Sequence, residues 1–335
     1  MIGKPIRGLV IGKFMPPHLG HKYLIDFARG MVDELTVLVC TLKRQPVPGQ
    51  LRHEWMSRSF GGVRVLHHTD ENPEEPQDAD SPEQFWSIWK ESILSYLSEP
   101  PDIVFASEPY GITLAQVLGA VYVPVDHQRE HVPISGSAIR EGIHPLFDYI
   151  LPAARPYFTR RVAVIGPESS GKSTLAQDLA ERYGASCVAE YGRTYLEATP
   201  HQITDQVLTT IALGQRASED ALAEQCGGLL FCDTEAIVTK LWARFFTGSV
   251  PDVVERLASE NCYDLYLVTR ATEEWVENPQ RFHPEFARRQ QFSDDCIAEL
   301  ANSGRPYAIL DGTWSQRWKQ ATAAVDSFLS GSEKE

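Results

Sequence analysis

The chain has 335 residues, 43% of them hydrophobic and 23% charged. This suits roughly two domains of about 150 residues each and excludes a disordered or low-complexity polypeptide. Thirty-one Lys and Arg stand against 45 Asp and Glu, a formal net charge of −14, with no basic stripe to displace counterions, which argues against a nucleic-acid partner.

No run approaches the ~20 apolar residues of a membrane span. The first apolar run stops at Gly12-Lys13, too short for a signal peptide. Six scattered cysteines, at 40, 187, 226, 232, 262 and 296, form no CxxC pair. The expectation is a cytoplasmic chain with reduced thiols, no zinc site and no membrane partner.

In chain order, residues 7–11 read as a strand ending at Gly12, 21–30 as a helix and 34–41 as a second strand. Residues 42–50, with Pro46, Pro48 and Gly49, read as loop. A helix over 51–60 and a strand over 63–67 follow. The acidic, proline-bearing stretch 71–83 reads as a solvated loop. Residues 85–97 form an amphipathic helix carrying Trp86 and Trp89, and 103–106 and 122–125 are strands. A break falls at 148–160 (DYILPAARPYFTR). A second series then runs through strand 161–165, a glycine-rich turn, helix 172–183, strand 187–190, helix 205–224 and strands 229–232, 265–269 and 307–310. Strands alternating with helices predict an α/β fold, with one doubly wound parallel sheet over 1–150 and another over 158–330.

The turn of the second series, GPESSGKS from Gly166 to Ser173, matches G-x-x-x-x-G-K-[ST]. Gly166 and Gly171 let successive amides face one anion, and the helix starting at Lys172 adds the positive end of its dipole. Lys172 is expected on the β/γ-phosphates and Ser173 on Mg²⁺, with Ser169, Ser170 and Thr174 as further nucleotide contacts. The apolar run ending at Asp233 supplies a candidate acid for the magnesium shell. Glu190 is expected at the end of a strand, facing the ligand crevice, with Tyr191 and Arg193 beside it as substrate contacts. A surface Glu–Arg pair is the alternative. Arg281, Arg288 and Arg289 follow Trp275 and read either as a lid on the transferring phosphoryl or as a solvated helix face.

The first series carries GKFMPPHLGH from Gly12 to His21. His18 and His21 straddle a glycine where a strand enters a helix, a position that favours an anion. Far downstream, Ser135, Ser137 and Arg140 (ISGSAIR) resemble a second helix-start phosphate cradle.

These two motifs resemble the HxGH and ISxTxxR signatures of nucleotidylyltransferases, with Ser137 in place of the usual Thr. The order of an HxGH domain, a proline-bearing linker and a P-loop kinase, with ASEPYG from Ala106 to Gly111 between the first domain's motifs, is similar to the NadR-type bifunctional family. The resemblance covers about 7–328. It implies a nicotinamide mononucleotide (NMN) adenylyltransferase joined to a ribosylnicotinamide kinase, using ATP and Mg²⁺. Its substrates and product would be nicotinamide riboside, NMN and NAD, and a homo-oligomer is compatible with it. His18 and His21 would then contact ATP phosphates, assisted by Lys13 within the Gly12-Lys13-Phe14 segment. Ser135, Ser137 and Arg140 would hold the departing pyrophosphate.

Trp86 would stack on nicotinamide or pack in the core. Trp275 would flank the riboside, although ENPQR from Glu277 to Arg281 departs from the family's pattern there. Glu190 and Asp233 both remain candidates for orienting the acceptor hydroxyl. Enteric members carry an N-terminal helix-turn-helix; with the nucleotide motif starting at residue 12, no DNA binding is expected. Two rivals fit the same motifs: a kinase with a weak adenylyltransferase half, and a kinase regulated by an NAD- or ATP-sensing half.

Overall fold

The computed structural model describes residues 4–199, 202–272, 274 and 282–331. The chain divides into two compact units between Tyr157 and Phe158.

The first unit runs β1 (Arg7–Gly12), α1 (Leu19–Arg29), β2 (Glu34–Cys40), α2 (Gly49–Ser59), β3 (Arg64–His68), α3 (Pro82–Tyr96), β4 (Ile103–Ala106), α4 (Tyr110–Leu118), β5 (Val121–Pro124) and α5 (Gly136–Glu141). The strands are all parallel in the order β3-β2-β1-β4-β5. Strands covered on both faces read as continuous apolar runs, and β1 shows why. Val10 packs with Val37, Val39 and Ile25 on one face, while Leu9 packs with Leu38, Val104 and Leu114 on the other.

The second unit follows the one-turn α6 (Arg155–Phe158). It runs β6 (Arg160–Ile165), α7 (Lys172–Tyr183), β7 (Ser186–Val188), α8 (Tyr191–Ala198), α9 (Asp205–Ala223), β8 (Leu229–Asp233), α10 (Ala236–Phe246), α11 (Asp252–Ser259), β9 (Leu265–Thr269), α12 (Phe286–Ser303), β10 (Tyr307–Leu310) and α13 (Trp314–Gly331). Its parallel order is β10-β9-β6-β8-β7. Ala163 and Ile165 face the core under α10 to α12, and Val162 and Val164 face that under α7 and α13. The fold class is the expected one, two doubly wound parallel sheets. In each, the central strand delivers its loop to the crevice beyond the strand ends where the order reverses, the place such sheets bind ligands.

Several boundaries differ from the sequence reading. Helix α3 begins within the supposed acidic loop, because Ser81 caps it by accepting the Gln84 N–H at 3.2 Å and Pro82 sits at the first helical position. Strand β7 stops at Val188, so Glu190 is not a strand end but the residue that opens α8. Helix α10 lacks a polar face over most of its length, with Ala236 to Leu241 all buried, and so shows no 3.6-residue alternation. Among the described residues, no helix is long and apolar enough to cross a membrane.

Helices α8 and α9 pack through Gly214. A methyl group there would lie 2.0 Å from the Tyr191 ring. Gly214→Ala is therefore expected to destabilise the second unit by about 1–3 kcal/mol, read as a lower urea midpoint. Adding Tyr191→Ala should recover most of the loss, since the two changes share one contact.

Candidate active sites

The loop after β1 opens a cavity of about 620 Å³. Its floor is a helix cap made of imidazoles. His18 takes the N-cap position of α1, and its Nδ1 accepts the Gly20 N–H at 3.1 Å. His21, one turn on, returns its Nδ1 to the His18 N–H at 3.2 Å. This is the reciprocal geometry of a capping box, and it explains the motif's spacing. The glycine is needed too, because a Cβ at Gly20 would sit 3.0 Å from the His18 ring.

The two rings stack at 3.7 Å, and Phe14 meets His21 edge-on at 4.8 Å. Burial lowers the His18 imidazole to about 4, with help from the nearby Arg129 charge. Burial, the His18 ring and Arg129 hold His21 well below its usual value. Both rings are thus neutral near pH 7. A neutral ring whose Nδ1 accepts carries its proton on Nε2, so each has one N–H left to give.

The other predicted residues of this half converge on the same cavity. Lys13 pairs with Glu74 at 2.7 Å, and Arg44 reaches Glu74 at 2.6 Å. The Lys13 and Arg44 hydrogen bonds hold the Glu74 carboxyl down to about 2. Ser135 caps α5 by accepting the Ala138 N–H. Arg140 donates to the Met15 carbonyl at 2.6 Å and to Ser137 Oγ at 3.1 Å, tying the two motifs together. Trp86 lines the cavity next to Phe85 and Trp89. Gly12 and Phe14 line it as well.

Two residues here had no sequence signal. Arg52 is fully buried and donates to the Lys13 carbonyl at 2.6 Å, and Arg129 brings a second guanidinium to the wall. Both lie in segments without a motif.

The turn after β6 opens the second unit's cavity, about 310 Å³, lined by the whole of Ser169 to Thr174. Gly166 has φ +139°, and a Cβ there would strike Thr269 Oγ1 at 2.3 Å; Gly171 has φ +84°. Neither conformation suits an L side chain. Ser170 Oγ donates to the Pro167 carbonyl and lies 2.6 Å from Thr269 Oγ1. Arg317 donates to the Ser170 carbonyl. Lys172 Nζ donates to the Pro167 carbonyl at 2.9 Å.

Glu190 lines this cavity beside Arg193, 3.3 Å away. Burial pushes its carboxyl up, against the Lys172 charge. Asp233 is buried, and its Oδ1 lacks a hydrogen-bond partner among the described residues. Tyr191 does not line the cavity; its ring lies on Gly214. Arg288 is exposed, pairs with Glu285 at 3.8 Å and is not in the wall either. Arg289 is buried and donates to the Glu274 carbonyl, which makes it an anchor rather than a free lid cation. Trp275 and Arg281 lie outside the described residues. Sequence reasoning missed the aromatic wall of Trp242, Phe246 and Phe282. It also missed Glu168, whose carboxylate accepts the Phe282 and His283 N–H groups at 2.9–3.1 Å and binds that wall to the phosphate loop.

The imidazole cap has a thermodynamic signature. Its folded pKa values lie below the usual 6.5, so between pH 6.5 and about 4 the unfolded chain binds protons that the folded one refuses. The His18 contribution is present above pH 6.5 and is lost as pH falls, by about 1–2 kcal/mol between pH 7 and 5. Denaturant midpoints at the two pH values should therefore differ less for His18→Asn, which keeps a capping oxygen and cannot titrate, than for the unaltered protein.

The model of a family described as an AAA domain matches residues 161–317. The trifunctional NAD biosynthesis/regulator protein NadR of Escherichia coli (strain K12) is 30% identical over 324 residues, covering 89% of this chain and 77% of that protein. A crystal structure of NadR protein in complex with NR aligns over 97% of this chain and 96% of that one, with a TM-score of 0.77 at 22% identity. The corresponding complex with NAD and AMP-PNP covers 98% and 97%, with a TM-score of 0.74 at 22% identity. The structural likeness gives the two-sheet fold along the whole chain, and the sequence likeness adds descent: the chain belongs to the NadR family.

Proposed function

We propose that the second unit phosphorylates nicotinamide riboside with ATP to give NMN, and that the first unit adenylates NMN to NAD with release of pyrophosphate. The observation that carries this reading is that each sheet ends in a cavity floored by a helix N-terminus, one bearing an imidazole cap and the other a lysine-bearing glycine loop. Membership of the NadR family supports the pairing. One solved NadR structure is a complex with NR, and the other is a complex with NAD and AMP-PNP. ATP and Mg²⁺ at working levels are cytoplasmic, and the reading places the chain there.

In the kinase unit the riboside 5′-oxygen attacks the γ-phosphorus, the bond to the β-bridging oxygen breaks and ADP leaves. The amides from Ser169 to Ser173 and Lys172 hold the phosphates. Glu190 is the group assigned to orient the hydroxyl and take its proton, since it lines the cavity, which Asp233 does not, and burial makes its carboxylate a stronger base than a free one. Asp233 and Ser173 would hold Mg²⁺. Among the described residues no group of three or more His, Cys, Asp or Glu could cage a metal. A nucleotide magnesium needs no such cage, because it takes one or two protein oxygens plus phosphates, and the unpaired Asp233 Oδ1 fits that role. The ion would supply charge neutralisation on the phosphates. Trp242, Phe246 and Phe282 offer planar faces to a base.

In the adenylyltransferase unit an NMN phosphate oxygen attacks the α-phosphorus, and the bond to pyrophosphate breaks. The nucleophile is already an anion, so alignment and charge stabilisation suffice. His18 and His21 donate Nε2–H to the α-phosphoryl. Lys13, Arg129 and Arg140 supply the positive charge, and Lys13 exchanges Glu74 for phosphate.

With nicotinamide riboside, NMN and Mg-ATP supplied in turn, Lys172→Ala should lower NMN formation by on the order of 10²-fold or more while NAD still forms from NMN. His21→Ala should do the reverse by a similar factor. Unchanged NAD formation by His21→Ala would refute the assignment of the first unit.

A further inference from the structure

The end of β8 carries an arrangement that neither the phosphate loop nor the metal accounts for. Thr234 has φ +75°, a conformation costly for any β-branched residue. It is held there from both sides. Its N–H donates to the Val164 carbonyl at 3.0 Å, and its carbonyl accepts from Gln215 Nε2 at 3.4 Å. Gln215 is itself buried, and its Oε1 accepts the Tyr191 N–H at 2.9 Å, which links Thr234 to the backbone that follows Glu190.

The side chain is 5% exposed, and its hydroxyl has no hydrogen-bond partner among the described residues. Thr234 also lines the kinase cavity, together with Glu190, Arg193, Gln215, Ile211 and Val238. A strained backbone and an unsatisfied buried hydroxyl are two separate costs. They coincide at one residue in the wall of a binding site, where strain tends to collect when it serves a ligand.

The surroundings select the kind of ligand group. Asp233 precedes Thr234 in the chain, Glu190 lines the same cavity as Thr234, and the Asp233 charge acts on Glu190. A phosphate oxygen brought to Thr234 without a metal ion would be repelled by these two carboxylates. A neutral hydroxyl would not, and it can both donate to and accept from a threonine hydroxyl.

We infer that the Thr234 hydroxyl binds a ribose 2′- or 3′-hydroxyl of the nucleoside acceptor and so sets which acceptors the kinase unit takes. This rests on the kinase reading above.

The test uses the full chain with Mg-ATP and three acceptors: nicotinamide riboside and its 2′-deoxy and 3′-deoxy forms. Thr234→Val keeps the shape and the β-branch and removes only the hydroxyl. It should lower kcat/KM for the riboside by about 10-fold or more, the scale of one buried hydrogen bond to substrate. The KM for ATP should stay within about twofold, and the thermal midpoint should not fall, because the hydroxyl has nothing to hold in the free protein. Thr234→Ser should recover most of the loss. With the deoxy acceptor that lacks the bonded hydroxyl, the unaltered protein and Thr234→Val should differ by less than about twofold, the non-additivity expected of two groups in contact.

Equal kinetics for the unaltered protein and Thr234→Val on the riboside would overturn the inference. So would an equal loss on all three acceptors, or a lowered midpoint with both KM values raised, since each marks a structural role. If the unaltered protein turns over none of the acceptors, the kinase reading fails and takes this one with it.

Discussion

The cavity of the first unit depends on two imidazoles doing the work of a helix cap. A cap normally spends a hydroxyl or carboxylate, and the spent oxygen has little left to offer a ligand. An imidazole has two nitrogens on opposite sides of a rigid ring. One can satisfy a backbone amide while the other remains a donor. His18 and His21 each commit Nδ1 to the start of α1. Stacked at 3.7 Å, with His18 buried and His21 half-buried, they stay neutral. The tautomer is fixed by the cap itself, so two Nε2–H donors stand at the mouth of a helix dipole without any further group to orient them.

The second unit reaches the same end, a helix mouth prepared for phosphate, with glycines and a lysine instead. In both units the preparation carries a cost that the rest of the sheet must bear. The described non-glycine residues with positive φ are Phe14, Asp126, Arg129, Ser169 and Thr234. The first three line the first cavity and the last two line the second. Strained backbone is tolerated where surrounding contacts over-determine it, and those contacts are visible. Arg52 holds the carbonyl next to Phe14. The Asp126 carboxylate accepts the His131 and Val132 N–H groups and closes the loop that carries Arg129. Thr272 donates to the Ser169 carbonyl.

What could be read from the sequence follows from the range of the interactions. The phosphate loop, the histidine pair and the Ser135–Arg140 segment are local devices, each a helix start whose spacing is set by the turn of that helix. The α/β alternation was legible for a similar reason, because β1 and β6 are buried on both faces and so appear as unbroken apolar runs. The Glu168 contacts to Phe282 and His283 span 114 and 115 positions, and Arg52 reaches Lys13 over 39. No periodicity announces such pairs. Tyr191 was expected at the substrate because it follows Glu190, yet the packing of α8 on Gly214 turns its ring into the helix interface. A sequence neighbour of a site residue is not a neighbour of the site.

The polar interior behind the kinase cavity shows why that site tolerates so many charged groups. Glu219 is fully buried, and its carboxylate accepts from Tyr263 Oη at 2.9 Å, from Gln215 Nε2 at 3.1 Å and from Arg161 Nη1 at 3.4 Å. A buried carboxylate is costly unless its lone pairs are filled, and here they are. The same Gln215 amide also reaches the Thr234 carbonyl, while its oxygen takes the Tyr191 amide. The backbone on both sides of the acceptor, behind Glu190 and at Thr234, is thereby tied to one satisfied network rather than to loop conformation alone. An apolar residue of the same size at 215 would fill the volume but leave the Tyr191 amide unpaired and Thr234 without the contact on its carbonyl. The network's value lies less in net stability, which buried charge seldom provides, than in holding the backbone after Glu190 and the backbone at Thr234 in one geometry.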